Sequence, residues 1–254
     1  MSRKPIPQII ENNIGVIVVS CDKYSDVWPY FFENFFSFWE SCPFNIYLLN
    51  NKETYKKNNI INLSIGKDIS WSSNLKKGLK KINKEYVILI LDDLIINRKI
   101  SIGKFYQIIE WVNNNSPNHL RLHISTKPKF YDRLVGKLPM KSPYKVSLMP
   151  AIWNRNFLLN ILNDNESAWD FEVNGTKRVL NSKGFFSLYK SFIFYDNSIV
   201  KSKWQRKMID KLNIKRNSRP VMLINEQFIY NLKVLRSKVF NFLPNYLRIK
   251  LKKI

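Results

Sequence analysis

Between Ile14 and Leu91 three short apolar runs alternate with two stretches of helical length, and this alternation constrains the fold more than any other feature of the chain. "IGVIVVS", Ile14–Ser20, is rich in β-branched residues and reads as a buried strand. After the polar loop "CDKYSDV", in which Asp26 is a candidate helix N-cap, "WPYFFENFFSFWE" has helical length and carries Pro29 where a first turn tolerates it. "FNIYLLN", Phe44–Asn50, follows the breaker Pro43 as a second strand. "SWSSNLKKGLKKI" then sets Leu75, Leu79 and Ile82 on one helical face ahead of a third strand, Tyr86–Leu91. Strands joined through helices in this way run parallel with right-handed crossovers, so an α/β sheet is expected. Ligands of such sheets bind beyond the carboxyl ends of the strands, and Ser20, Asn50 and Asp92 stand at three such ends.

The stretch "NKEYVILILDDLIINRK", Asn83–Lys99, places Asp92 and Asp93 between two apolar segments. An ionised carboxylate held there is costly unless something pairs with it, and two adjacent ones repel. A turn or a helix cap accounts for many such pairs. The other solution is a shared hard cation, held by one or two carboxylates and completed by water and the phosphates of a nucleotide diphosphate.

The composition narrows the class. With 254 residues and 45% apolar content the chain can bury a large core. Its longest apolar runs fall well short of the ~20 residues that span a bilayer, and "MSRKPIPQIIENN" has no continuous apolar signal segment, so a cytoplasmic protein is expected. Cys21 and Cys42 show no metal-ligand spacing and read as packing residues. The net charge of +23 is uneven: residues 1–173 carry 23 Lys and Arg against 16 Asp and Glu, whereas residues 174–254 carry 19 against 3. Such a field attracts phosphate on nucleic acid, on anionic lipid or on a substrate, while lysine-rich solvated faces account for part of it.

A second group of acids lies in "NESAWDFE", Asn165–Glu172. Glu166 reads as an acid in the first turn of a helix, favoured by its dipole. Asp170 and Glu172 flank Phe171 beside Trp169, a setting in which burial raises a carboxylate toward the pKa of a useful general base. Trp153 in "PAIWNR" is either a flat face for a sugar ring or a core tryptophan. His119 and His123 in "HLRLHIS" alternate as in a strand and have no supporting acid, so both are read as structural or peripheral. In "VKSKWQRK", Val200–Lys207, Lys203 is a candidate cation for a bound diphosphate, with a solvated basic loop as the competing account. In the tail, Phe228, Leu232, Leu235, Val239 and Phe242 recur at three- and four-residue steps among Lys233, Arg236, Lys238, Arg248, Lys250, Lys252 and Lys253, with a helix break expected near Leu243 because Pro244 follows. This is either a membrane-interface helix or one that packs on the main domain.

The segment "SSNLKKGLKKINKEYVILILDD" resembles the donor-site region of GT-A-fold nucleotide-sugar glycosyltransferases. With "SCDKYSDVWPYFFENFFSFW", "RLHI", "YDRL", "PYKVSLMPAIWNRNFLLNIL", "ESAWDFE" and "SIVKSKW", the likeness extends over about residues 14–206 to bacterial enzymes of capsule, O-antigen or other surface-polysaccharide synthesis. The familiar metal motif is Asp-any-Asp, where this chain has Leu91-Asp92-Asp93. The resemblance implies that Asp22 and Tyr24 hold the base or ribose, that Asn74 faces the donor, and that Asp93 ligates a divalent metal, manganese or magnesium. Asp92 then shares the ion or takes a ribose hydroxyl. Asp170 and Glu172 fall on the acceptor side, with Glu172 favoured as base.

The expected fold class is α/β, a GT-A-like (Rossmann-like), mostly parallel sheet flanked by helices, with residues 1–210 as the transferase domain and 211–254 as a basic amphipathic helical tail. The expected activity is hexosyl or N-acetylhexosaminyl transfer from a nucleotide sugar, UDP-sugars favoured, to a surface glycan, a polyprenyl-linked one included, at the inner face of the cell membrane. A nucleic-acid-binding protein without catalytic activity is the alternative, disfavoured because the aromatics fall inside apolar runs. No nucleic-acid partner is therefore expected.

Overall fold

The first strand, β1 (Ile14–Val19), is buried along its whole length, as a β-branched run must be when both faces of its sheet are covered. The computed structural model describes residues 13–57, 59–125, 127–215 and 219–252. The chain continues through a short 3₁₀ turn (Asp22–Tyr24), α1 (Trp28–Phe38), β2 (Asn45–Asn50), β3 (Ile60–Ser64), α2 (Trp71–Lys80) and β4 (Tyr86–Leu91). β5 (Leu94–Ile96), α3 (Ile102–Asn115), β6 (His119–Arg121), β7 (Lys129–Phe130), β8 (Val135–Lys137) and β9 (Ala151–Asn154) follow. The remainder is α4 (Arg155–Ile161), α5 (Ala168–Arg178), β10 (Phe185–Leu188), β11 (Tyr195–Asn197), β12 (Ile199–Val200), β13 (Lys203–Trp204), α6 (Arg206–Lys211), α7 (Ile224–Phe242) and α8 (Asn245–Lys252).

Among the described residues, nine strands form one sheet in the order β3-β2-β1-β4-β9-β6-β10-β8-β7. β3, β2, β1 and β4 are mutually parallel, as the alternation of runs predicts, and β9 enters antiparallel between β4 and β6. Val16 and Val18 pack with Phe31, Phe32, Phe35, Trp39 and Phe105 on one face; Ile17 and Val19 pack with Leu75, Leu79, Trp153 and Phe171 on the other. The aromatic run of α1 is therefore core, and it offers no bases a surface on which to stack.

α2 lies unusually close to the sheet. A Cβ at Gly78 would stand 2.5 Å from Leu49 Cδ1, so glycine there lets the helix settle on β2 and carries Asn74, one turn earlier, to the strand ends. Ser70 caps this helix by accepting from Ser73 N at 3.1 Å, so Asn74 is not spent as a cap.

Two local features bear on the expected boundary at residue 210 and on the expected cap at Asp26. Ile214 and Met222 are buried, and Trp204 N donates to Pro220 O at 2.8 Å while Met222 N donates to Trp204 O at 2.9 Å. The packed body thus continues beyond residue 210, and the exposed appendage begins at Leu223. Helix α1 is entered through Val27 with no side-chain cap, because Asp26 is engaged elsewhere. α7 ends at Phe242 ahead of Pro244, where the break was expected.

Candidate functional site

β4 ends in the tight turn Asp92–Asp93, and β5 leaves it to pair antiparallel with β11 rather than to fold back on β4. Both aspartates line a cavity of about 340 Å³ with Val19, Ser20 and Tyr24 from the first strand end, and Asp68, Trp71 and Asn74 from the entry to α2. This is the crevice at the carboxyl ends of parallel strands that the topology requires.

The turn is held from behind. Trp28 Nε1 donates to Ser20 Oγ at 2.6 Å, and Ser20 Oγ in turn donates to Asp92 Oδ2. The Asp93 carbonyl accepts from Ser198 N at 2.7 Å and from Ser198 Oγ at 2.9 Å. Burial, and after it the Asp93 charge, raises the Asp92 carboxyl well above the usual range, against the opposing Ser20 bond and Arg219 charge. Burial pushes Asp93 up to about 6. Asp93 Oδ1 is buried with no hydrogen-bond partner among the described residues. Acceptor-only oxygens of this kind suit a hard cation. Among the described residues no group of three or more His, Cys, Asp or Glu could cage an ion, so the fitting arrangement is the two aspartates completed by water and substrate phosphate.

The sequence-predicted donor residues divide. Tyr24 and Asn74 both line the cavity. Asn74 Nδ2 donates to Asp68 Oδ1 at 2.6 Å and its Oδ1 accepts from Ile69 N at 3.3 Å, so it braces the loop that presents Asp68. Asp22 does not reach the cavity; its carboxylate accepts from the amides of Asn51, Lys52 and Glu53 at 2.8, 2.9 and 3.2 Å and ties the loop after β2 to the loop after β1. Asn50 turns sideways, donating to Asn62 Oδ1 at 3.0 Å. Lys203 Nζ is paired with Glu226 Oε1 at 2.6 Å and does not line the cavity. The cation that acts on Asp92 is Arg219. Asp68, Trp71 and Arg219 escaped sequence reasoning; Asp68 and Trp71 carried a faint signal, an acid and an aromatic bracketing the start of a helix, and Arg219 carried none.

The acceptor-side acids also separate. Asp170 completes a capping box, accepting from Ser167 Oγ at 2.6 Å and Ser167 N at 3.1 Å, and these bonds lower its pKa. Its carboxylate is exposed and is engaged by its own helix end. Glu172 is turned inward, where Oε1 accepts from Leu148 N at 2.7 Å. Burial raises its pKa, and the Leu148 and Ser147 bonds with the Arg121 charge oppose this. Ala168, one turn before Glu172 and on the same face of α5, lines the cavity. Burial raises the Tyr195 hydroxyl, and the charges of Asp93 and Glu172 add to it. Glu166 forms a bidentate pair with Arg178 at 2.7 Å, a structural contact.

Trp153 is fully buried 4.2 Å from the ring of His119, so it is a core residue, and Trp169, 64% exposed beside Tyr144, is the accessible aromatic of this side. His119 is buried against Trp153 and Phe185, and His123 Nδ1 lies 3.0 Å from the Ile193 carbonyl.

No family model matches the chain, and no curated protein does. Among solved structures, residues 1–349 of S. aureus TarS in complex with UDP-GlcNAc align over 93% of this chain and 69% of that one, with 12% identity and a TM-score of 0.51. Another structure of residues 1–349 of S. aureus TarS aligns at 13% identity and a TM-score of 0.49, covering 72% of this chain; the chain spans 60% of that fragment's length. A mannosyltransferase from Pyrobaculum calidifontis, in complex with GDP-Man and Mn2+, aligns over 94% of this chain and 72% of its own at 10% identity and a TM-score of 0.47. What is shared at this identity is the fold: a GT-A-type, mostly parallel sheet flanked by helices.

Proposed function

We propose that this chain transfers a hexosyl or N-acetylhexosaminyl group from a nucleotide-diphosphate sugar, a UDP-sugar in the first instance, to a hydroxyl of a growing surface glycan. The observation that carries this reading is Asp93 Oδ1, a buried carboxylate oxygen without a hydrogen-bond partner among the described residues, on a side chain that lines the strand-end cavity. The fold shared with TarS, a structure of which contains UDP-GlcNAc, supports it and favours uridine.

In this reading Tyr24 and Asp68, which line the cavity, receive the base and ribose, and Asp92 and Asp93 would hold a divalent cation, manganese or magnesium. Such a cation, when bound, neutralises the donor diphosphate as negative charge grows on it. Glu172 takes the proton of the acceptor hydroxyl as its oxygen bonds to the anomeric carbon and the nucleotide diphosphate departs. Trp169 offers a face for an acceptor sugar ring.

The tail supports a site of action at an anionic membrane. Among the described residues no helix is long and apolar enough to cross a membrane. Ile224, Phe228, Leu232, Leu235 and Val239 of α7 are 50–74% exposed, and at 100° per residue they lie within about 80° of one another. The helix does not bury this stripe on the body; Tyr230, on another face, receives a bond from Asn197 Nδ2 at 3.2 Å. Arg236 and Lys238 flank the stripe, each worth about 1 kcal/mol at an anionic surface. Arg248, counted among the free cations from sequence, is instead buried over the Phe240 ring at 5.2 Å. The side chains of Phe242 and Lys252, and Lys253 altogether, lie outside the described residues.

Thermal stability in the presence of uridine diphosphate and manganese, against an equal charge of single-stranded oligonucleotide, tests the reading. Stabilisation by the first alone at moderate salt is expected, and stabilisation by the oligonucleotide alone would favour a nucleic-acid binder. A screen of nucleotide sugars for slow hydrolysis then identifies the donor. Cosedimentation with anionic vesicles, lost in high salt and on truncation before Asn225, tests the tail.

A further inference from the structure

The segment just before α7 reaches back across the molecule to the loop that follows β1. Arg219 Nε donates to Asp26 Oδ2 at 3.0 Å, and Nη2 donates to Asp26 Oδ1 and to the Lys23 carbonyl, both at 2.6 Å. Nη1 donates to the Ser202 carbonyl at 3.4 Å. The guanidinium carbon lies 4.3 Å from the centre of the Tyr24 ring, and the side chain is 8% exposed. The backbone on its C-terminal side is anchored, since Pro220 and Met222 bond to Trp204. Arg219 therefore grips both ends of the Lys23–Asp26 turn and covers the ring between them. That turn contributes Lys23 and Tyr24 to the cavity that contains Asp92 and Asp93.

We infer that Arg219 is a positioning residue for nucleotide binding: it fixes the plane of the Tyr24 ring and the course of the Lys23–Asp26 turn, so that the nucleoside meets a preorganised face. The inference rests on reading the cavity as the donor site. A planar fork is needed, because it must meet both carboxylate oxygens, reach a backbone carbonyl and stack on a ring at once. A lysine ammonium supplies charge without that geometry.

The test compares the full-length chain with its R219K, R219Q and D26N variants, measuring uridine diphosphate affinity by calorimetry, donor hydrolysis as separate kcat and KM, and melting temperature. R219Q is expected to weaken uridine diphosphate binding and raise donor KM by ~10–100-fold, with kcat held within about threefold. R219K should recover part of the affinity, and the R219Q/D26N double variant should be no worse than R219Q, since the two side chains act as one unit. A variant that melts earlier yet binds uridine diphosphate as the parent does, at a temperature where both are folded, overturns the inference and leaves Arg219 a structural tie. A fall in kcat at unchanged KM also overturns it. If the parent itself binds no nucleotide diphosphate with or without manganese, the donor-site reading falls and this inference falls with it.

Discussion

The two acidic stretches of this chain look alike in sequence and behave in opposite ways in the fold. Asp92-Asp93 and Asp170-Phe171-Glu172 each set carboxylates against apolar residues. In the first, a tight turn at the end of a buried strand drives both carboxyls into the crevice, one on Ser20 and the other partly unsatisfied. In the second, a serine three residues upstream captures Asp170 for a helix cap, and helical periodicity turns Glu172 the other way, into the body. The difference teaches that an acid is free for chemistry only where no local donor claims it. Backbone geometry decides this before any ligand arrives.

Replacing Asp93 by Asn should break the comparison most severely. Donor turnover is expected to fall by ~10³-fold or more, the equivalent of about 4 kcal/mol of lost charge stabilisation. The fold should tolerate the change and gain from it when divalent cations are chelated. An acid whose folded pKa is raised to about 6 costs stability as pH climbs from its ordinary value toward that point. The Asn variant should therefore melt above the parent at pH 8 and converge with it near pH 4, as calorimetry would show; a lower melting temperature at pH 8 would contradict the burial argument.

Glu172→Gln is expected to keep uridine diphosphate affinity and lose ~10²–10⁴-fold in transfer. Because burial raises the Glu172 pKa, the acid limb of the parent's rate profile should lie above the ordinary glutamate value of about 4.3, with activity lost as pH falls through it. The residual activity of the Gln variant should lack that limb.

Asp170→Ala should have the smallest effect, leaving transfer within about threefold of the parent and lowering the melting temperature slightly. The Ser167 bonds depress the Asp170 pKa, so its contribution is present above the unfolded value and disappears as pH falls through the folded one. The gap between the two proteins should close in acid. Loss of transfer in this variant would reverse the assignment of the two acids.

Much of this site could be read from the chain because it sits where local patterns end. β1, β2 and β4 announce themselves by β-branched runs, and their carboxyl ends bring Asp92, Asp93 and Tyr24 to one crevice; Asn74 follows from the helix between them. What stayed hidden was partner choice. Asp22 has the composition of a ligand residue, yet its carboxylate accepts from the amides of Asn51, Lys52 and Glu53. Lys203 has the right charge, but Glu226 of a helix more than 20 positions away claims it. Trp153 alternates correctly for a strand, and no local signal tells that both faces of β9 are covered. Each of these depends on contacts remote in sequence, to which periodicity is blind.

The grip of Arg219 on Asp26 joins residues 193 positions apart, and this sets an order of events during synthesis. The β1–β4 unit contains its own local crossovers and can collapse as soon as it leaves the ribosome, since domains form from the N-terminal side as chain is supplied. The Lys23–Asp26 turn stays untied until almost the whole chain has followed. Closing so long a loop is also the slowest kind of contact to form. Until the C-terminal segment docks, Tyr24 lacks the guanidinium that covers its ring, so the cavity at the strand ends is the last part of the sheet's edge to be completed.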